Sequence, residues 1–157
     1  MKQLDGRADA VVSPPPATCF SVLGAVERYP DWGGEFIRSV TVLGRDARGL
    51  PTRAHVVVHV AQSPFAKTFE FDVAIRAEPH AAVTLSRLPS GPSDADRVSL
   101  SWSPHTEDHG TRIGLVFAAA VSFLPAALPL PGVGDLIART LLDTAVRGLG
   151  GSATSSV

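Results

Sequence analysis

Few side chains here are equipped for chemistry, and their spacing decides what each could do. His55 and His59 stand four apart. On a helix that spacing would suit a metal pair, but on a strand four residues span about 13 Å, too far for two ligands of one zinc ion. Their segment, Thr52 to Gln62, sets Ala54, Val56, Val58 and Val60 against Arg53, His55 and His59, the alternation of a strand with one dry face. Both histidines are expected in solvent, and no metal site is expected. His105-Thr-Glu-Asp-His109 reads as a polar turn. Cys19, the lone cysteine, reads as a small buried hydrophobe and forms no internal disulfide. Neither a Gly-x-Ser-x-Gly elbow, a phosphate-binding glycine loop nor a dinucleotide fingerprint occurs. No catalytic residue and no cofactor is expected.

The elements that position these residues follow from periodicity. Arg7 to Val12 reads as a first strand, and Ser13 before Pro14-Pro-Pro as the cap of a helix with proline in its opening turn. That helix is expected to break at Tyr29-Pro30, leaving Tyr-Pro-Asp-Trp32-Gly-Gly as a corner. Strands follow near Phe36–Gly44, Thr52–Gln62, Lys67–Glu78, Ala82–Leu88, Arg97–Ser103 and Thr111–Ser122, joined by turn signals. Phe69, Phe71, Val73 and Ile75 share one face and Glu70, Asp72 and Arg76 the other; Val98, Leu100 and Trp102 oppose Ser99, Ser101 and Ser103; Ile113, Leu115 and Phe117 oppose Arg112 and Gly114. An antiparallel meander of that width twists and curls.

One long amphipathic helix, Pro131 to Leu149, remains to fill the curl. Asp135, Arg139, Asp143 and Arg147 form a solvated stripe, with Val133, Ile137, Leu141 and Thr144 opposite; Leu136, Leu142, Val146 and Leu149 widen the apolar arc. An ion pair on that stripe is worth about 0.2–0.5 kcal/mol, a buried Leu about 1.5–3 kcal/mol. Packing therefore decides where the helix sits.

A chain of 157 residues with net charge -1 is long enough for one domain, and its scattered arginines do not suggest nucleic acid. Ile113 to Gly134 carries no charge, yet Pro125, Pro129 and Pro131 interrupt it. The stretch 123–132 is therefore expected to be an apolar loop open to transient membrane or protein contact, and no span is expected. Met1-Lys-Gln-Leu-Asp lacks the apolar run of a secretion signal, so a cytoplasmic location is expected, and arginine in place of lysine suits a GC-rich bacterial source. The domain is expected over 1–151, with 152–157 a flexible tail, as a monomer or weak homodimer.

Three segments carry a resemblance: Ala10-Val-Val-Ser-Pro-Pro-Pro-Ala-Thr-Cys-Phe20, Val26-Glu-Arg-Tyr-Pro-Asp-Trp32 and Val40-Thr-Val-Leu-Gly44. With the element order, they resemble the SRPBCC superfamily of START lipid-transfer domains, pollen-allergen-like proteins and polyketide cyclases, in its polyketide cyclase/dehydrase-like branch. The resemblance implies an α+β helix-grip fold: a curved seven-stranded antiparallel sheet wrapped around a long C-terminal helix, with two short helices after the first strand. It also implies a cavity between sheet and helix for a hydrophobic small molecule. The ligand-binding set would then be Trp32 at the corner, Phe36, Val56 and Val58, then Phe69, Phe71 and Val73, Leu85, Leu100 and Trp102, Leu115 and Phe117, and Ile137, Leu141 and Thr144 on the helix. The loop 123–132 would form its mouth.

Aromatase/cyclase members carry an inward polar group, often arginine, near the segment matching Phe69-Glu-Phe71; here Arg76 has the outward parity. The leading expectation is therefore binding or carriage of a lipid-like, polyketide or terpenoid molecule. The alternatives are a cyclase or dehydratase acting on such a ligand, or an interaction module with a filled core.

Overall fold

The computed structural model describes residues 2–32, 36–62, 65–78, 81–122 and 133–149. The loop 123–132 and the tail 152–157, named above as mouth and flexible end, lie outside them.

Strands β1 (Lys2–Val12), β2 (Ile37–Arg45), β3 (Pro51–Gln62), β4 (Phe65–Glu78), β5 (Ala82–Arg87), β6 (Arg97–Glu107) and β7 (Gly110–Val121) form one antiparallel sheet in the order β1-β7-β6-β5-β4-β3-β2. Every pairing but β1–β7 joins neighbours in sequence. β1 returns to pair along its whole length, from Lys2 opposite Val121 to Val12 opposite Thr111. It begins five residues before the expected Arg7, because Leu4, Gly6, Ala8 and Ala10 keep the inward parity while Asp5, Arg7 and Asp9 face out; the side-chain-free Gly6 hides that alternation. β6 likewise runs past Ser103 to Glu107, through Pro104 opposite Ile113.

Two helical boundaries differ from expectation. Helix α1 spans Pro16–Gly24 with Pro15 in the capping position and no side-chain cap bond. Ser13 does not cap it: the residues whose N–H groups it would bind are prolines, which have none. Thr111 Oγ1 donates instead to the Pro14 carbonyl at 2.7 Å, pinning the start of α1 to β7. The chain leaves α1 at Gly24, not at Tyr29-Pro30, and passes through a 3-10 turn (Val26–Arg28) into α2 (Tyr29–Trp32). Tyr29 is helical, at φ -54 and ψ -39, although a proline follows. Pro30 falls in the first turn of α2, where a missing N–H breaks no helical bond, and the buried Tyr29 hydroxyl donates to the Leu23 carbonyl.

Helix α3 (Val133–Gly148) closes the curl. It lies on β1, touches α2 near its C-terminal end, and α2 in turn contacts β2, so a helical bridge joins the two sheet edges. Asp135, Arg139, Asp143 and Arg147 are exposed as expected, while Ala138, Leu141, Leu142, Ala145 and Val146 are buried. Leu136 is the correction: at 46% exposed it lies outside the apolar arc, because it points the same way as the charged stripe. The closest contact is backbone on backbone. A β-carbon on Gly134 would stand 2.0 Å from the Asp5 carbonyl oxygen, and one on Gly6 2.0 Å from the Gly134 carbonyl oxygen. Asp135 Oδ1 accepts the Arg7 backbone N–H at 3.2 Å, so the first turn of α3 occupies the side of β1 that β7 leaves open.

Candidate functional site

The inner face of the sheet is assembled in rows by the strand register. Ile75, Leu85, Leu100 and Phe117 lie side by side across β4 to β7; Val83, Trp102 and Leu115 form the next row; Val56 opposes Phe71, and Val58 opposes Phe69. Of the expected ligand set, Val56, Val73, Leu85, Trp102, Leu115, Phe117, Leu141 and Thr144 are buried, while Trp32, Phe36, Val58, Phe69, Phe71, Leu100 and Ile137 are half-buried.

This division follows position. Where α1 packs on β5, β6 and β7, the inner face is sealed: Val83, Trp102 and Ile113 have 0% of their surface exposed, as do Cys19 and Leu23 of α1. Burial pushes the Cys19 thiol and the Tyr29 phenol up from their usual ranges. The Trp102 indole N–H is buried without a hydrogen bond of good geometry and lies beside the Tyr29 hydroxyl. Away from α1, inward apolar side chains keep accessible surface. There β4 outruns β5, pairing with it only from Val73 to Glu78 but with β3 from Phe65 to Ala74. Phe69 and Phe71 sit on this overhanging half.

Polar groups on the inner side are few. The Thr144 hydroxyl donates to the Leu141 carbonyl at 2.7 Å; Thr140, which is exposed, donates to Leu136 at 2.8 Å. Each thus spends its proton on its own helix and offers a ligand only an acceptor.

Two cations escaped the sequence reading. Arg87 opposes Val73 in register and shares the parity of Val83 and Leu85, so it lies on the inner face. Its Nη2 donates to Asp94 Oδ2 at 2.8 Å, its Nη1 to the Asp96 carbonyl at 3.0 Å, and its side chain is 12% exposed. Asp94 also accepts the Ser90 N–H and hydroxyl, and Asp96 Oδ1 accepts both donors of Ser122. Bonding to Arg87 foremost, then to Ser90, holds the Asp94 carboxyl well below the usual carboxylate range. The pair organises the β5–β6 loop across that end of the sheet. Lys67 opposes Val60 and shares the parity of Phe69; its Nζ lies 5.4 Å from the centroid of the Phe69 ring. Continued alternation, Val83-Leu85-Arg87 and Lys67-Phe69-Phe71, was the signal that would have found both.

The histidines lie on the outer face. His55 Nδ1 contacts Asp72 Oδ1 at 2.8 Å and its Nε2 contacts Glu70 Oε1 at 3.5 Å, while His59 pairs with Thr68 at 2.9 Å. A groove of about 640 Å³ runs from Ser86, Ser99, Ala118 and Ala120 to the β5–β6 loop at Arg87, Asp94 and Asp96, flanked by Asp5 and Arg97.

A curled seven-stranded sheet gripped by a terminal helix, dry inside and sealed at one end, matches solved structures over nearly its full length. A START superfamily protein from Mycobacterium smegmatis aligns with TM-score 0.65 and 18% identity, over 94% of this chain and 93% of that one. The chain has the START-like helix-grip fold. A conserved protein from Geobacillus kaustophilus shares this START-like fold at TM-score 0.67 and 13% identity, with 97% of each chain covered. The Zhui aromatase/cyclase from a Streptomyces species aligns at TM-score 0.55 and 18% identity, over 95% of this chain and 87% of that one. No family model and no curated protein matches the sequence. Among the described residues no helix is long and apolar enough to cross a membrane.

Proposed function

We propose that the protein binds and carries a hydrophobic small molecule, lipid-like, polyketide or terpenoid, between the inner face of its sheet and α3. The observation that carries this reading is the split of the inner face. Apolar side chains under α1 are sealed, whereas Val58, Phe69, Phe71 and Leu100 share the inward parity and, with Phe36 and Ile137 packed against the core, keep accessible surface. An apolar surface that the protein does not cover for itself gains free energy from an apolar guest, at about 25 cal/mol per Å² removed from water. The reading includes a monomer or weak homodimer in a bacterial cytoplasm.

Arg87 on the inner face favours the second reading, a cyclase or dehydratase acting on such a ligand. Both of its terminal nitrogens are committed to Asp94 and Asp96, which makes it foremost a fastening of the β5–β6 loop, and carriage comes first. Titration with the uncharged dye Nile red tests the site. The protein is expected to bind it with blue-shifted emission, and Phe71→Arg to lose that binding while keeping its far-ultraviolet circular dichroism. A wild-type protein that leaves the dye in water would point to a filled interior.

A further inference from the structure

The two inner-face cations differ in what neutralises them. Arg87 faces Asp94 at 2.8 Å and is 12% exposed, so its charge is matched inside the protein. Lys67 is exposed and forms no ion pair among the described residues; its ammonium rests over the Phe69 ring at 5.4 Å. The acids nearest in sequence, Glu70 and Asp72, have outward parity and face His55 and Arg53. Lys67 also stands on the half of β4 that overhangs β5, at the rim of the accessible apolar surface, two residues before Phe69 and four before Phe71.

We propose that Lys67 is the head-group end of the site, and that the ligand is an amphiphile with one anionic head, carboxylate or phosphate, whose apolar body runs over Phe69 and Phe71 toward Leu100. The assignment rests on the apolar-site reading above and adds the charge and direction of the ligand. The aromatic ring holds the cation at the rim without cancelling its charge. An incoming anion therefore meets a positioned ammonium that no described acid matches, while its chain meets apolar surface that the described residues leave accessible. Arg87, already paired, offers no net charge to compete for the head.

Calorimetry on the full chain at neutral pH and low salt, with dodecanoate, methyl dodecanoate, dodecyl phosphate and dodecyltrimethylammonium, tests this. The two anions should bind about two- to fivefold more tightly than the ester, the range of a solvent-exposed ion pair, and the cation more weakly than the ester. Whichever anion binds better identifies the head group. Lys67→Gln should abolish the anion advantage and leave ester affinity unchanged; Lys67→Arg should restore the advantage, and raised salt should erase it. Equal binding of ester and anions by the wild-type protein, or an advantage that survives Lys67→Gln, overturns the head-group assignment while leaving the apolar site standing. Failure of all four probes to bind overturns both.

Discussion

The indole of Trp32 lies so close over Gly148 that a β-carbon at position 148 would stand 2.6 Å from its Cδ1 and Cγ. Trp32 also packs on Tyr29, with ring centroids 4.7 Å apart, so α2 meets the end of α3 through one rigid side chain. Gly148→Ala gains about 1 kcal/mol of helix propensity but overpacks a contact at a cost of about 1–3 kcal/mol. Because Tyr29 limits the retreat of the ring, overpacking should win. The expected outcome is a loss of about 1 kcal/mol in urea denaturation, with a shift in tryptophan emission. An unchanged spectrum would show that the indole moves freely.

A harsher result is expected where neither partner has a side chain to move. Gly134→Ala drives a methyl group into the Asp5 carbonyl, and backbone cannot swing aside. The loss should reach about 3 kcal/mol or more. Gly91→Ala, with nothing within 4 Å of the added carbon, is the control and should be close to neutral. Similar denaturation midpoints for the two variants would mean that α3 does not grip β1 through Gly6 and Gly134.

The outer His55 cluster makes stability depend on pH. Hydrogen bonding to Asp72, then to Glu70, raises the His55 pKa, and bonding to His55, then to Arg53, lowers that of Asp72. A raised folded-state pKa means that the histidine's contribution is full below its unfolded value of about 6.5 and fades as pH rises through the folded one. The Asp72 contribution is present above its unfolded value of about 3.9 and fades as pH falls through its lowered folded one. The cluster is therefore strongest between those unfolded values. His55→Gln should lower the urea midpoint at a pH inside that window and lower it less at alkaline pH, an effect kept modest by solvent screening. An equal loss at both would remove the charge from the explanation.

The two tryptophans should answer a quencher differently. Trp102 is 0% exposed under α1, and Trp32 is half-buried. Acrylamide should quench Trp102→Phe protein, whose emission comes from Trp32, and barely quench Trp32→Phe protein. The reverse order would place the opening of the sheet at the α1 end.

Strand parity made most of the fold legible. Val98-Leu100-Trp102 and Ile113-Leu115-Phe117 announce a dry face because their outward neighbours, Val116 apart, are small or polar, and the Asp/Arg stripe fixes the phase of α3. What stayed hidden depends on groups that have no hydropathy. The β1 alternation passes through Gly6, which packs by lacking a side chain. The triple proline carries the signature of a capped start, but its missing N–H groups leave Ser13 nothing to bind. Arg87 and Lys67 carry inward parity, but a charge on a dry face reads as an interruption until a partner such as Asp94 or the Phe69 ring is seen beside it.

The seat of α3 on β1 reaches beyond the interior. Asp135 takes the Arg7 N–H, and Gly134 crowds the Asp5 carbonyl, so from Asp5 to Arg7 this margin of the sheet is closed to an incoming strand. The opposite margin, β2, ends the strand order, and its pairing with β3 is broken by shifts at Ile37/Ser39, Val42/Gly44 and Gly44/Arg45. Growth of a strand-by-strand polymer needs two competent margins per molecule, one to join and one to be joined. The helix that closes the interior therefore also blunts the β1 margin against strand addition.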